Sequence, residues 1–63
     1  MSYQDALILA MKKEKAAFRM YSKLAEKADD PDVRELFLKL AMEESKHKLA
    51  FEVEYDDFIL KEN

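Results

Sequence analysis

A chain with no glycine and a single proline, Pro31, has almost nothing with which to punctuate a fold made of short elements. Glycine and proline are the usual residues of tight turns and strand ends, so a sequence without them favours long, uninterrupted helix. The only turn signal is Asp29-Asp30-Pro31, close to the midpoint of the 63 residues. An aspartate ahead of a proline suits a helix N-cap followed by the first helical position, where the missing N–H of proline costs nothing. Ser2-x-x-Asp5 resembles a capping box and predicts the start of an earlier helix. The expected fold is all-α: a single domain over residues 1–63, an antiparallel two-helix hairpin with helices at about 3–28 and 31–60.

Helical spacing then assigns the faces. Steps of four and three residues from Tyr3 pass through Leu7, Ala10, Glu14, Ala17, Tyr21, Leu24 and Ala28, an apolar seam holding one acid. The same steps from Val33 pass through Phe37, Leu40, Glu44, His47, Phe51, Glu54 and Phe58, a second seam in which Glu44 and His47 stand one turn apart. A hairpin pivoting at Asp29-Asp30-Pro31 pairs residue i with roughly residue 59 or 60 minus i, so Glu14 faces Ser45, next to Glu44. At about 1.5 Å of rise per residue, Glu14, Glu44 and His47 share one level of the hairpin.

A 63-residue chain buries too little surface to be comfortable alone and needs a disulfide, a metal or a partner chain. There is no cysteine, which removes disulfides and thiolate metal sites and is compatible with a reducing, cytoplasmic setting. Metal and oligomerisation remain. Helix 2 carries a further apolar strip, Leu38, Met42, Leu49, Val53 and Leu60, about half a turn from Glu44 and His47, and helix 1 a weaker one in Leu9, Ala16 and Met20. One hairpin cannot cover all of these, so a homodimer or a larger homo-oligomer is expected. Charged residues are 40% of the chain with the two signs interspersed, and the net charge is −3, which leaves no basic face for nucleic acid. No stretch is long and apolar enough for a membrane span, so no membrane partner is expected.

Two carboxylates within apolar seams are costly unless each finds a cation or hydrogen-bond donors. Lys12, Lys13 and Lys15 flank Glu14 but point away from its seam by the same spacing rule. A divalent cation would neutralise the acids and use the imidazole as well. Carboxylates with one imidazole suit iron or manganese and, less selectively, zinc. Glu-x-x-His by itself is a weak signal: with eight Glu in the chain, chance puts one three residues before the only His about one time in eight. Agreement in seam and in level is what gives Glu14, Glu44 and His47 weight as metal ligands. Competing readings are a Glu43 that also lies near His47, and a Glu54 opposite Asp5 that is either a solvated acid or a secondary cation site.

Three ligands per chain are half of a set. Two hairpins about a twofold axis would supply four Glu and two His, the ligand complement of ferritin-like di-iron and di-manganese bundles.

The runs Met11-Lys-Lys-Glu14-Lys-Ala-Ala-Phe18-Arg-Met-Tyr21 and Leu36-Phe-Leu-Lys-Leu-Ala41-Met-Glu-Glu44-Ser-Lys-His47 resemble the first half of rubrerythrin-like and ferritin-like di-iron proteins. Such proteins usually carry two helix pairs per chain. In stopping after one pair, this chain is similar to encapsulated ferritins, in which a hairpin dimerises to complete the iron centre and dimers join into rings. The resemblance implies that Glu14 is the bridging acid, that Glu44 and His47 are the Glu-x-x-His ligands, and that Tyr21 is the tyrosine lying just behind the ligands. It also implies a dinuclear iron site shared across a dimer that closes into a ferritin-like four-helix bundle. The corresponding activity is ferroxidase-like, the oxidation of Fe(II) by dioxygen or peroxide. Two departures stand out. No cysteine-rich electron-transfer module is present, so peroxide reduction would need an external electron donor. Lys13 and Ala16 stand where encapsulated ferritins have additional acids, which weakens the case for an encapsulating shell. From other classes, the alternatives are a non-catalytic helical oligomerisation module, its polar layer setting register, and a structural metal-binding protein.

Overall fold

The computed structural model describes residues 1–62 and consists of two helices, α1 (Tyr3–Lys27) and α2 (Pro31–Glu62), with no strand among the described residues. Each helix begins where its capping chemistry lies. Ser2, in extended backbone, accepts a hydrogen bond at Oγ from the Asp5 N–H at 3.0 Å. Asp30 Oδ1 accepts from the N–H groups of Asp32 (2.8 Å) and Val33 (3.4 Å), two of the donors that a helix start leaves unpaired. Pro31 is the first residue of α2, where its ring and missing N–H are harmless.

The first helix stops one residue short of the expected position. Ala28 has left helical geometry (φ −72°, ψ 127°), and its N–H bonds the Ala25 carbonyl at 3.3 Å. Its own carbonyl accepts from Arg34 Nη2 at 3.0 Å, so a side chain from the first turn of α2 closes the end of α1. The second helix runs two residues beyond the expected 60.

The helices lie antiparallel, and their contacts give the register: Tyr3 with Phe58, Gln4 with Tyr55, and Tyr21 with Phe37. Tyr3 meets Phe58 edge to face (5.2 Å, 67°), while the Tyr21 and Phe37 rings stack at 6.3 Å. Aromatic pairs thus stand toward both ends of the hairpin, with the level of Glu14 between them. Burial along the seam is slight. Only Leu7, Ala25 and Ala41 are buried among the described residues, two of them alanines whose small side chains let the helices approach. Leu24, expected in the seam, is exposed, and Ala25 beside it takes the contact.

The molecule measures 50 × 18 × 11 Å, and its accessible surface of 5078 Å² exceeds the roughly 4,200 Å² of a globular monomer of its mass. One contact line between two helices leaves the outer faces uncovered, including Leu36, Leu38, Met42, Leu49, Val53 and Leu60. No helix is long and apolar enough to cross a membrane among the described residues.

Because Asp30 satisfies two otherwise unpaired N–H groups, Asp30→Ala is expected to cost about 1 kcal/mol in urea unfolding, with Asp30→Asn keeping most of that stability. Equal losses in the two variants would assign the effect to charge rather than to capping.

Candidate metal centre

The middle of the contact line is polar. Glu14 on α1 and Glu44 on α2 are both partly buried, their side chains only 20% and 21% exposed, whereas the His47 side chain is 60% exposed. His47 Nδ1 lies 3.4 Å from Glu14 Oε2 and 4.0 Å from Glu44 Oε2. One ligand atom from each residue can be chosen so that all lie within 4.8 Å of one another. The sequence places these residues on one level, and the structure brings them together.

The details differ from the helical-spacing expectation in one respect. His47 does not sit between the helices as Phe37 does against Tyr21. It stands at the rim of the seam, reaching the acids from the solvent side. At 100° per residue, His47 is about 60° around α2 from Glu44, enough to carry a side chain from the contact line to its edge. The three groups therefore form a cluster that is closed beneath by helix packing and open above.

The electrostatics are unfavourable for a metal-free protein. Glu14 Oε2 is buried and makes no hydrogen bond, so its desolvation is offset only by the His47 imidazole 3.4 Å away. The flanking Lys12, Lys13 and Lys15 make no ion pair with it; within 4 Å, the cation-capable group is His47. The Glu44 carboxyl is held above its ordinary 4.5, chiefly because Glu14 can accept a hydrogen bond from it when protonated, and further by burial and by the like charge of Glu14. The His47 imidazole pulls the other way. Two carboxylates crowded together, one with an oxygen short of a partner, want either a shared proton or a cation.

The donor set fits a metal such as iron. Carboxylate oxygens with an imidazole nitrogen are the ligand mixture of iron and manganese sites, and the orphaned oxygen of Glu14 is the atom that a cation would satisfy. Glu43 is exposed and does not join the cluster. Glu54, the other seam acid, accepts a hydrogen bond from the Tyr3 hydroxyl at 2.9 Å near the open end of the hairpin. Tyr21 stacks on Phe37, and its hydroxyl makes no hydrogen bond among the described residues. Helical spacing did not reveal Gln4 Nε2 donating to the Tyr55 hydroxyl at 3.2 Å, nor the Lys48–Glu52 ion pair at 2.6 Å. Neither belongs to the cluster.

A carboxyl whose folded value is raised favours the fold below the ordinary carboxylate range, and that contribution is lost as pH climbs through the raised value. In metal-stripped protein, Glu44→Gln should therefore gain stability relative to the parent as pH rises from 4 to 7. The check is a set of urea midpoints across that interval, and a pH-independent difference would show that Glu44 is not coupled to Glu14.

The family model described as Rubrerythrin matches residues 5–63. No curated protein and no solved structure matches the chain. Iron binding is general to that family, and the carboxylate and histidine cluster gives it a location to be tested in this molecule. The match spans nearly the whole sequence and agrees with an all-helical hairpin, and the chain belongs to the Rubrerythrin family of the ferritin-like superfamily.

Proposed function

We propose that two copies of the hairpin associate through the open side of the cluster into a four-helix bundle. Each would contribute Glu14, Glu44 and His47 to a shared dinuclear iron site that oxidises Fe(II). The single observation that carries this reading is the clustering of the three side chains around the unpartnered Glu14 Oε2. Family membership supports iron as the metal; manganese and zinc are the alternatives that the same donors would accept.

The count of ligands supports the dimer. One chain offers two carboxylates and one imidazole, and a twofold axis above the open side doubles this to four Glu and two His, the complement of ferritin-like dinuclear sites. Exposed apolar residues on the hairpin, among them Leu24, Val33 and Leu36, need cover that a second hairpin could give. A site completed by association also answers the size problem, because ligand binding and assembly then stabilise a chain with little core of its own.

In this reading Glu14 would hold the metal from α1, and Glu44 and His47 would hold it from α2. The imidazole, standing at the rim, is the group best placed to meet the second hairpin. The aromatic pairs Tyr3–Phe58 and Tyr21–Phe37 stand on either side of the site along the helices. Bound iron would supply the redox chemistry, each Fe(II) giving one electron to dioxygen or peroxide. Peroxide reduction beyond the first turnover would draw electrons from a separate donor.

Anaerobic loading with Fe(II), followed by gel filtration with mass determination, is expected to give about one iron per chain and a mass of at least two chains. Glu14→Ala and His47→Ala should each weaken iron binding by about tenfold or more and slow aerobic Fe(II) oxidation in parallel. Unchanged iron content and oxidation in both variants would overturn the assignment and leave the cluster as a polar layer that sets helix register.

A further inference from the structure

The middle of α1 is cationic although the chain as a whole is acidic. Between Asp5 and Glu26 it carries Lys12, Lys13, Lys15, Arg19 and Lys23 against a single acid, Glu14, which is turned into the seam. Lys15, Arg19 and Lys23 follow one another at intervals of four residues, the spacing at which like charges on a helix repel. No Asp or Glu stands three or four residues from Lys15 or Arg19 along the helix. Among the described residues, neither side chain forms an ion pair or a hydrogen bond.

Lys15 and Arg19 line a cleft of about 230 Å³ between the two helices, whose other walls are the Phe18 ring and, from α2, Ser45 and Lys48. Around α2, Lys48 and Ser45 fall about 40° and 100° to one side of Glu44, and His47 about 60° to the other. The cleft is therefore level with the acid pair but across the contact line from His47, so a second hairpin closing over His47 leaves it facing solvent. Its walls hold three cations and a hydroxyl and no acid. The Ser45 hydroxyl makes no hydrogen bond among the described residues. Lys48 pairs with Glu52 at 2.6 Å, but both side chains are more than a third exposed, and a pair of that kind is weak and readily exchanged. The volume is below the roughly 300 Å³ at which sites for drug-sized ligands begin, which leaves room for a small anion and not for a nucleotide.

We infer that the cleft between Lys15, Arg19, Ser45 and Lys48 binds a phosphate group, either free or as a small phosphomonoester. A phosphate group carries a charge of about −1.5 to −2 near neutral pH and several acceptor oxygens, which answers cations converging from two helices where a single carboxylate would leave most of them unmatched. The planar guanidinium of Arg19 suits two parallel contacts to such oxygens, the lysines act as point charges, and the Ser45 hydroxyl adds a neutral donor. Phe18, 41% exposed on the wall, offers an apolar surface to any organic substituent. A bound phosphate would relieve the repulsion between Lys15 and Arg19 and tie α1 to α2, so it stabilises the hairpin. None of the residues lining the cleft is a proposed metal ligand, and the inference does not rest on the iron reading.

The test is a calorimetric titration of the metal-free full chain with inorganic phosphate at fixed ionic strength, with helicity followed by circular dichroism. Saturable binding of about one phosphate per chain is expected, together with a urea midpoint that rises with phosphate concentration. Arg19→Gln and Lys48→Gln should each weaken binding about tenfold at parent helicity, while Lys12→Gln, which removes a cation outside the cleft, should change it by less than about twofold. Phenyl phosphate is the second probe: tighter binding than inorganic phosphate identifies a phosphomonoester seated against Phe18, and equal binding identifies free phosphate. Absence of saturable binding with both probes overturns the inference, as does a loss in Lys12→Gln as large as in Arg19→Gln, which would mean diffuse attraction to a cationic face. Iron content in Glu14→Ala and His47→Ala reports on the metal centre alone, so the two readings fail separately.

Discussion

Glu14 and Glu44 meet because the turn at Asp29-Asp30-Pro31 holds two helices in one antiparallel register, and the rest of the molecule is organised around that meeting. Like charges partly removed from water oppose folding, and the local response is a Glu44 carboxyl that holds its proton more tightly than usual. To either side of the acids the helices are held by apolar contact at Leu7, Ala25, Ala41 and the two aromatic pairs, and by the Tyr3–Glu54, Gln4–Tyr55 and Arg34–Ala28 hydrogen bonds. A seam optimised for stability would place leucines at both positions. The retention of two acids with an unpartnered oxygen is the kind of local inconsistency that sites built for a cation display.

The thinness of the molecule has the same origin as the openness of the site. Two helices touch along one line, and a side chain can be covered on that line or next to it but not above it. Glu14 and Glu44 are partly covered, and His47 projects from the rim. Completion of the coordination sphere and completion of a hydrophobic core would therefore be one event in the proposed bundle, in which metal affinity, oligomer mass and thermal stability are linked quantities.

Along α2 two apolar patterns run on different sides of the helix. The seam advances by threes and fours and is interrupted at Glu44, His47 and Glu54, while the outer stripe has no ionisable residue among Leu38, Met42, Leu49, Val53 and Leu60. Because these patterns occupy different sides of one helix, substitutions in one need not disturb the other. A helix of 32 residues is long enough to carry both.

Much was legible from residue spacing. The lack of glycine, the one proline and the two caps determined the helices and the turn, and steps of three and four determined that Glu14, Glu44 and His47 would share one level, because each depends only on bonding along the chain and on the fixed pitch of a helix. Spacing does not determine how far each helix is rotated about its own axis when it packs. That rotation, settled by which side chains interlock, put Ala25 rather than Leu24 in the contact, moved His47 from the seam to its rim, and brought Arg34 to the Ala28 carbonyl and Tyr3 to Glu54. A few tens of degrees separate a covered side chain from an exposed one. Sequence by itself determined which groups meet; only the packed pair of helices decided which of them is left facing outward, since that depends on contacts between residues far apart in the chain.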